Sequence, residues 1–364
     1  MNKLNKIYNW SIFVLLCFIT GFILIYHEPF RDEVQAWNIA RDLSIFDIFK
    51  QMHSEGHPCL WHLILFPFAH LGFPVYTVSW ISYFIMMLTA FLILFKAPFS
   101  KPVRTILVFS SPFIYYYSII SRNYCLIALC ITCICLLYKK RHEWPLYYGL
   151  LLFLLFNTHV MMAGMASILL FFFMLESFIS FIKSKKISWK HGIGCLVGFI
   201  GGIVLCLQLK GSYADNSLVQ NAGIGAYGVL SFTELCNIFI DGCKMELFYI
   251  TGSYGACAYF YIIVIVLCLV LCMNLFLHPK STILFIVSYL FYLLVSVVFF
   301  YSITPRAIII IFLLMFLAWV CKEEEVAGRD RMFFIKKYSL CEYALQGMLF
   351  LFCVFSILRC LPHS

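Results

Sequence analysis

The sequence predicts an all-α polytopic membrane protein with about eleven transmembrane helices and amphipathic juxtamembrane helices in the first outer loop. Three observations predict it. The chain is 63% hydrophobic and only 12% charged, with a mean hydropathy of +0.94, far outside soluble composition. Apolar runs of about 15 to 23 residues recur from Tyr8 to Leu361, and runs that long span as helices because lipid offers their backbone no other partner. Basic residues fall in short clusters between the runs, as cytoplasmic loops do. The runs lack the period-two alternation of a β-barrel.

The first run, from Tyr8, follows Lys3 and Lys6 but is long and has no small-residue cleavage site, so it reads as an uncleaved first span. The later basic clusters are KAPFSKPVR (96–104), KKRHEW (139–144), KSKKISWKH (183–191), HPKS (278–281) and KEEEVAGRDRMFFIKK (322–337). Placing all of them inside pairs the spans between them, with the N-terminus cytoplasmic and the C-terminus outside. The net charge of +9 is then explained by cytoplasmic loops, and no nucleic-acid partner is implied. The 17 cysteines lie mostly within apolar runs, as at Cys125, Cys130, Cys133 and Cys135, and give neither a disulfide framework nor a zinc spacing.

The first outer loop, 27–73, divides into amphipathic pieces: one from Asp32 to Leu43, then one opened by Ser44-Ile45-Phe46-Asp47, whose S-x-x-D spacing starts a helix. HPCLWHLILFPFAHLG (57–72) is short and carries His57, His62, His70 and Pro67. Counted as a span it would put KAPFSKPVR outside, so it is expected to lie along the outer surface. A second outer segment, 210–256, begins rich in Gly, Ser and Asn and turns helical at Ser231-Phe232-Thr233-Glu234, as a lid or acceptor-side loop would. With no soluble domain or internal repeat, residues 1–364 read as a single transmembrane domain.

Sorted by face, the unusual polar residues collect at the outer ends: Asp32 and Glu33, Glu55 and His57, Ser121-Arg122-Asn123-Tyr124, Asn157 and His159, and Pro305-Arg306. Arg122 sits in an almost loopless turn, where an unpaired charge costs about 2.5 to 3.5 kcal/mol. Arginines, carboxylates and histidines converging at the membrane surface suit a lipid with an anionic head group. Arg122 and Arg306 can hold phosphate oxygens bidentately, and a carboxylate opposite can take a proton from an attacking hydroxyl.

The Asp-Glu pair, GHPCLWHLILFPFAHLG, SRNY and THV follow in an order similar to the GT-C membrane glycosyltransferases, the superfamily of protein O-mannosyltransferases and aminoarabinose transferases. The resemblance covers about residues 8–170 by motif and the remainder by hydropathy alone. It implies inverting transfer of a sugar from a polyprenyl-phosphate donor to an acceptor hydroxyl, lipid or glycan, on the extracytoplasmic face of a membrane; the sequence leaves bacterial and reticular membranes both open, and the absence of a large lumenal domain leans toward the bacterial cell membrane. It implies Asp32 as general base and Glu33 in a second role, donor phosphate on Arg122, Tyr124 and Arg306, and a pocket shaped by His57, His159 and Glu55. Some members use a divalent cation and others do not; Glu33 and His159 are the residues to hold one here. The chain departs from the pattern at Cys59, where many members have a second proline.

Plainer readings accompany these. Asp32-Glu33-Val34-Gln35 is itself a capping-box pattern, so Asp32 can serve as a helix cap. His57 can be a helix-start residue before Pro58, His159 an interfacial histidine bonded to backbone, and Arg122 the partner of Glu33 in a structural ion pair. Glu176 reads as a snorkelling or helix-pairing residue, Tyr115-Tyr116-Tyr117 as an interfacial belt, and Asp42, Asp47 and Lys50 as a solvated face. A lipid transporter or flippase is the rival function, but the charges lie at one face and no repeat symmetry is visible. A polysaccharide polymerase is expected to have arginine-rich outer loops, and 210–256 contains no arginine.

Overall fold

The computed structural model describes residues 3–55, 57–185, 188–210, 232–251, 260–296, 303–323 and 331–360. No strand occurs among the described residues. Five of their helices are long and apolar enough to cross a membrane, Lys3–Ile25, Thr77–Lys96, Val160–Lys183, Trp189–Leu209 and Thr304–Glu323, and several shorter apolar helices accompany them. The architecture is compatible with a membrane protein.

The first long helix, α1 (Lys3–Ile25), is followed by α2 (Arg31–Asp42), α3 (Ile45–Glu55) and α4 (Leu60–His70). At 1.5 Å per residue, α4 is only about 16 Å long, half the hydrocarbon thickness. It packs against α2 and buries Trp61, His62, Leu65 and Ala69. α3 opens as its S-x-x-D spacing requires: the Asp47 N–H donates to Ser44 Oγ at 3.2 Å and the Ser44 hydroxyl donates to the Asp47 carboxylate at 2.6 Å.

The start of α2 differs from the capping pattern read in the sequence. Its N-cap is Phe30, so Asp32 lies inside the first turn and does not cap it. The cap falls to Glu33, whose carboxylate accepts the Phe30 N–H. Phe30 offers no side-chain acceptor in return, so only half of a capping box forms.

Next come α5 (Thr77–Lys96), α6 (Lys101–Val108), a π-helical turn at Pro112–Tyr116, α7 (Tyr124–Tyr138) and α8 (Pro145–Phe156). A 3-10 turn at Val160–Met162 then leads into α9 (Ala163–Ser184), followed by α10 (Trp189–Leu209). Among the described residues, α8 and α10 form the most intimate helix pair. Their glycines allow it: a Cβ on Gly149 would fall 2.1 Å from the Gly194 carbonyl oxygen, and one on Gly194 2.4 Å from that of Pro145.

The remaining elements are α11 (Phe232–Thr251), α12 (Phe260–Leu277), α13 (Pro279–Leu294), the single turn α14 (Thr304–Ala307), α15 (Ile309–Glu323) and α16 (Arg331–Cys360). α11 begins where the second outer segment was expected to turn helical; Ser231 and the Gly-rich stretch before it lie outside the described residues. α15 is the core of the bundle, with every residue from Ile309 to Cys321 buried against α7, α13 and α16. Its sequence is apolar on all faces, as a helix surrounded by others must be.

Polar contacts gather at the two ends of the bundle. At one end Glu176 of α9 accepts hydrogen bonds from Arg141 at 2.9 and 3.0 Å and is paired with Lys280 and His142, the helix-pairing role its position suggested. Lys322 meets Glu342 there as well. The candidate site lies at the opposite end.

Candidate functional site

Asp32 and Glu33 are adjacent on α2 but have different surroundings. The Glu33 carboxylate is fully buried. One oxygen accepts His27 Nε2 at 2.9 Å and the Phe30 N–H, and the other accepts the Ser121 N–H. This fastens the end of α1 and the start of α2 to the turn before α7. Asp32 keeps 23% of its side chain exposed and pairs with Arg122 Nη1 at 2.9 Å. The ion pair of Arg122 is therefore with Asp32, whereas Glu33 takes the backbone of the same turn.

That turn is built by Pro112, which opens the π-helical turn. The Tyr117 N–H reaches the Pro112 carbonyl at 2.9 Å, an i to i+5 bond, and the chain then leaves helical geometry through Ser121 to Asn123. Breaking the helix here lets Arg122 leave the apolar run and meet Asp32.

Arg306 arrives on α14 at the head of the buried α15, and its Nε lies 3.3 Å from the Tyr124 hydroxyl. Tyr124 belongs to a column of near-parallel rings: Phe312 to Tyr117 at 5.8 Å, Tyr117 to Tyr124 at 5.5 Å, and Tyr124 to His159 at 5.6 Å between centroids. The Tyr117 hydroxyl donates to the Pro305 carbonyl at 2.7 Å, which fixes the residue before Arg306, and the Arg122 guanidinium lies 5.9 Å from the Tyr124 ring. Tyr117 is wholly buried, so within the expected Tyr115–Tyr117 belt this residue is part of the site's support and only Tyr115 is exposed.

His57 stacks on His62 at 5.5 Å. Burial and then the charge of Arg122 push its imidazole down to about 4; a bond to the Pro58 carbonyl opposes them, and Arg306 adds a smaller push in the same direction. His159 is lowered well below its ordinary value, first by burial and then by Arg306, His57 and Arg122. Both rings are neutral at physiological pH, and the two guanidiniums carry the positive charge. His159 Nδ1 accepts the Met161 N–H at 3.2 Å, which orients the ring.

Both Glu55 carboxylate oxygens accept from Gln35 Nε2, at 3.0 and 3.1 Å. Gln35 is one turn along α2 from Asp32, so Glu55 continues the acidic wall beside the arginine pair. Among the described residues no group of three or more His, Cys, Asp or Glu side chains is arranged to hold a metal ion.

The site thus joins Asp32, Glu33, Arg122, Tyr124, His159 and Arg306, with His57 close enough for its ring to feel both arginines. Sequence reasoning missed His27, His62 and Tyr117 as members, and Gln208, whose side chain binds the Cys59 N–H and Asn157 Oδ1 beside the site. The available signal was weak: a histidine ending an apolar run, a second histidine five residues after His57, one tyrosine of three, and a lone glutamine in GGIVLCLQLK. No protein-family model matches the chain, and no curated protein or solved structure matches it significantly.

Proposed function

We propose that the protein is a GT-C-type glycosyltransferase that moves a sugar from a polyprenyl-phosphate donor to an acceptor hydroxyl on the extracytoplasmic face. The carrying observation is the Asp32–Arg122 pair beside Arg306 and Tyr124. Two guanidiniums and a phenol supply five or so directed donors, about what a phosphate's oxygens accept. Neutral His57 and His159 add shape and hydrogen bonding without competing for the charge.

Of the two carboxylates, Asp32 is the one open to a substrate, because both Glu33 oxygens are spent on His27, Phe30 and Ser121. In the reaction the acceptor oxygen attacks the anomeric carbon and a C–O bond forms with inversion. The bond to the phosphate oxygen breaks, its electron pair leaves with the phosphate against Arg122 and Arg306, and the acceptor proton passes to Asp32. Donor phosphate taking Arg122 frees the Asp32 oxygen that Arg122 holds and leaves only the 3.3 Å contact of the other oxygen with the exposed Arg31, so the base becomes available when the donor is in place. A divalent cation, where one is used, would meet His159 and the acidic wall, since Glu33 already accepts three hydrogen bonds.

This reading includes about eleven crossings with a cytoplasmic N-terminus, supported by the segregation of polar residues to the two bundle ends. Asp32→Asn tests the base. The purified variant should fold, lose transfer by about a hundredfold or more, and bind a polyprenyl phosphate more tightly than the parent, because the competing carboxylate has been neutralised. Undiminished transfer would remove Asp32 as base, and weaker lipid-phosphate binding would contradict Arg122 as the phosphate ligand.

A further inference from the structure

Gln208 is the next-to-last residue of α10, in an otherwise apolar turn, and it is 1% exposed. A primary amide buried in apolar surroundings must pair both its carbonyl and its NH2. Gln208 Oε1 accepts the Cys59 N–H at 2.8 Å, and Nε2 donates to Asn157 Oδ1 at 2.8 Å and to the Val204 carbonyl at 3.2 Å. Asn157 spends its own NH2 on the Phe153 and Gly201 carbonyls, at 2.8 and 3.3 Å, which turns its oxygen toward Gln208. Neither amide can flip without setting two donors or two acceptors against each other.

The partners of this relay locate its effect. Cys59 is two residues after His57, and Asn157 is two before His159. Asn123, the neighbour of Arg122, donates to the Thr158 carbonyl at 2.7 Å. A frame of neutral amides therefore ties together three segments far apart in sequence, each carrying one charged or imidazole side chain of the site.

We propose that Gln208 is a positioning residue: its amide sets the spacing between the loop carrying His57 and the turn carrying His159, and through them the two imidazoles beside Arg122 and Arg306. The proposal rests on the lipid-phosphate reading of that end for its functional consequence, though not for the coupling itself. Gln208 touches no substrate in this scheme. A glutamine fits where a glutamate does not, because the group must accept from Cys59 and donate to Asn157 at once.

The test uses the full chain in detergent with Gln208→Leu, which removes both bonds at similar volume, and Gln208→Glu, which keeps the acceptor and loses the donor. Hydrogen exchange should accelerate together in peptides 57–60 and 157–161 of Gln208→Leu, and only in 157–161 of Gln208→Glu. Affinity for a polyprenyl phosphate should fall about tenfold in Gln208→Leu, as removal of buried hydrogen-bond partners predicts. In a His57→Ala/His159→Ala background the same substitution should change affinity by less than about twofold, since its effect runs through those rings. Unchanged exchange at both peptides, or an equal loss of affinity in that background, would overturn the proposal. A parent chain that binds no polyprenyl phosphate while the exchange result holds would instead remove the lipid-phosphate reading and leave the coupling standing.

Discussion

Successive residues of a helix point about 100° apart, so Asp32 and Glu33 could not both face one atom. Asp32 meets a guanidinium at a partly open surface, whereas Glu33 is enclosed by a histidine and two backbone N–H groups. The neighbouring imidazoles carry the site's pH dependence. His57, in the loop before α4, is held near 4 by burial and by Arg122 and Arg306, whereas in an unfolded chain it titrates at about 6.5. Between those values the unfolded chain binds the extra proton, so the contribution to stability is present above about pH 6.5 and is lost as the pH falls toward 4. Thermal midpoints of the detergent-solubilised protein should rise from about pH 5 to about pH 7 and then level, and His57→Asn should remove part of that rise. An identical slope in the variant would show that His57 is not held neutral. Asp32, Glu33 and Arg122 were legible in the sequence because a charge beside an apolar run has few innocent explanations. Tyr117 and Gln208 were not, because their partners lie far along the chain, 188 residues away for Tyr117 and 149 and 51 for Gln208.

At the scale of elements, local rules foretold helix starts better than helix contacts. Ser44 and Asp47 cap α3 as their spacing demands, and α4 is a short helix of 11 residues that follows it. The start of α2 was misplaced because Glu33 reaching back to Phe30 competes with an aspartate cap, and two backbone starts fit the same residues. The α8–α10 interface was invisible as such: GIGCLVGFIGG reads as one more apolar run until the partner helix supplies a backbone at contact distance. That closeness has a mechanical use. It brings the end of α10 beside the end of α8, where Gln208 meets Asn157. A methyl at position 194 would overlap the Pro145 carbonyl and force the helices apart. Gly194→Ala should therefore destabilise by about 1–3 kcal/mol, an overpacking cost. It should also speed hydrogen exchange around Asn157, although residue 194 is about two thirds of the length of α10 from Gln208. A midpoint equal to the parent's would show that the pair can separate at no cost and does not set the frame.

For the whole molecule, the governing feature is that charge is sorted by end. Arg141, His142 and Lys280 surround Glu176 at one end, and Asp32, Arg122 and Arg306 share the other. Lysine and arginine in short loops remain on the cytoplasmic side, so the proposed function requires the Glu176 end in the cytoplasm and the Asp32 end outside. The sorting by end was legible in the sequence because it rests on which polar residues fall at the same ends of the apolar runs. Contacts between distant segments, such as Tyr117 with Pro305, carry no signature in a single sequence because any tyrosine in an aromatic run would look the same. Sidedness can be tested with cysteines placed singly at exposed positions and a membrane-impermeant thiol reagent. Arg31 and Lys50, 84% and 78% exposed, belong to α2 and α3. Lys140, exposed in the turn between α7 and α8, belongs to the opposite end. Arg31→Cys and Lys50→Cys should label in intact cells, and Lys140→Cys only after the membrane is permeabilised. Labelling is read against the parent chain, whose native cysteines set the background; if Lys140→Cys labels from outside as readily as Arg31→Cys, the alternation of crossings between these positions is wrong, and the donor phosphate could not be met on the extracytoplasmic face.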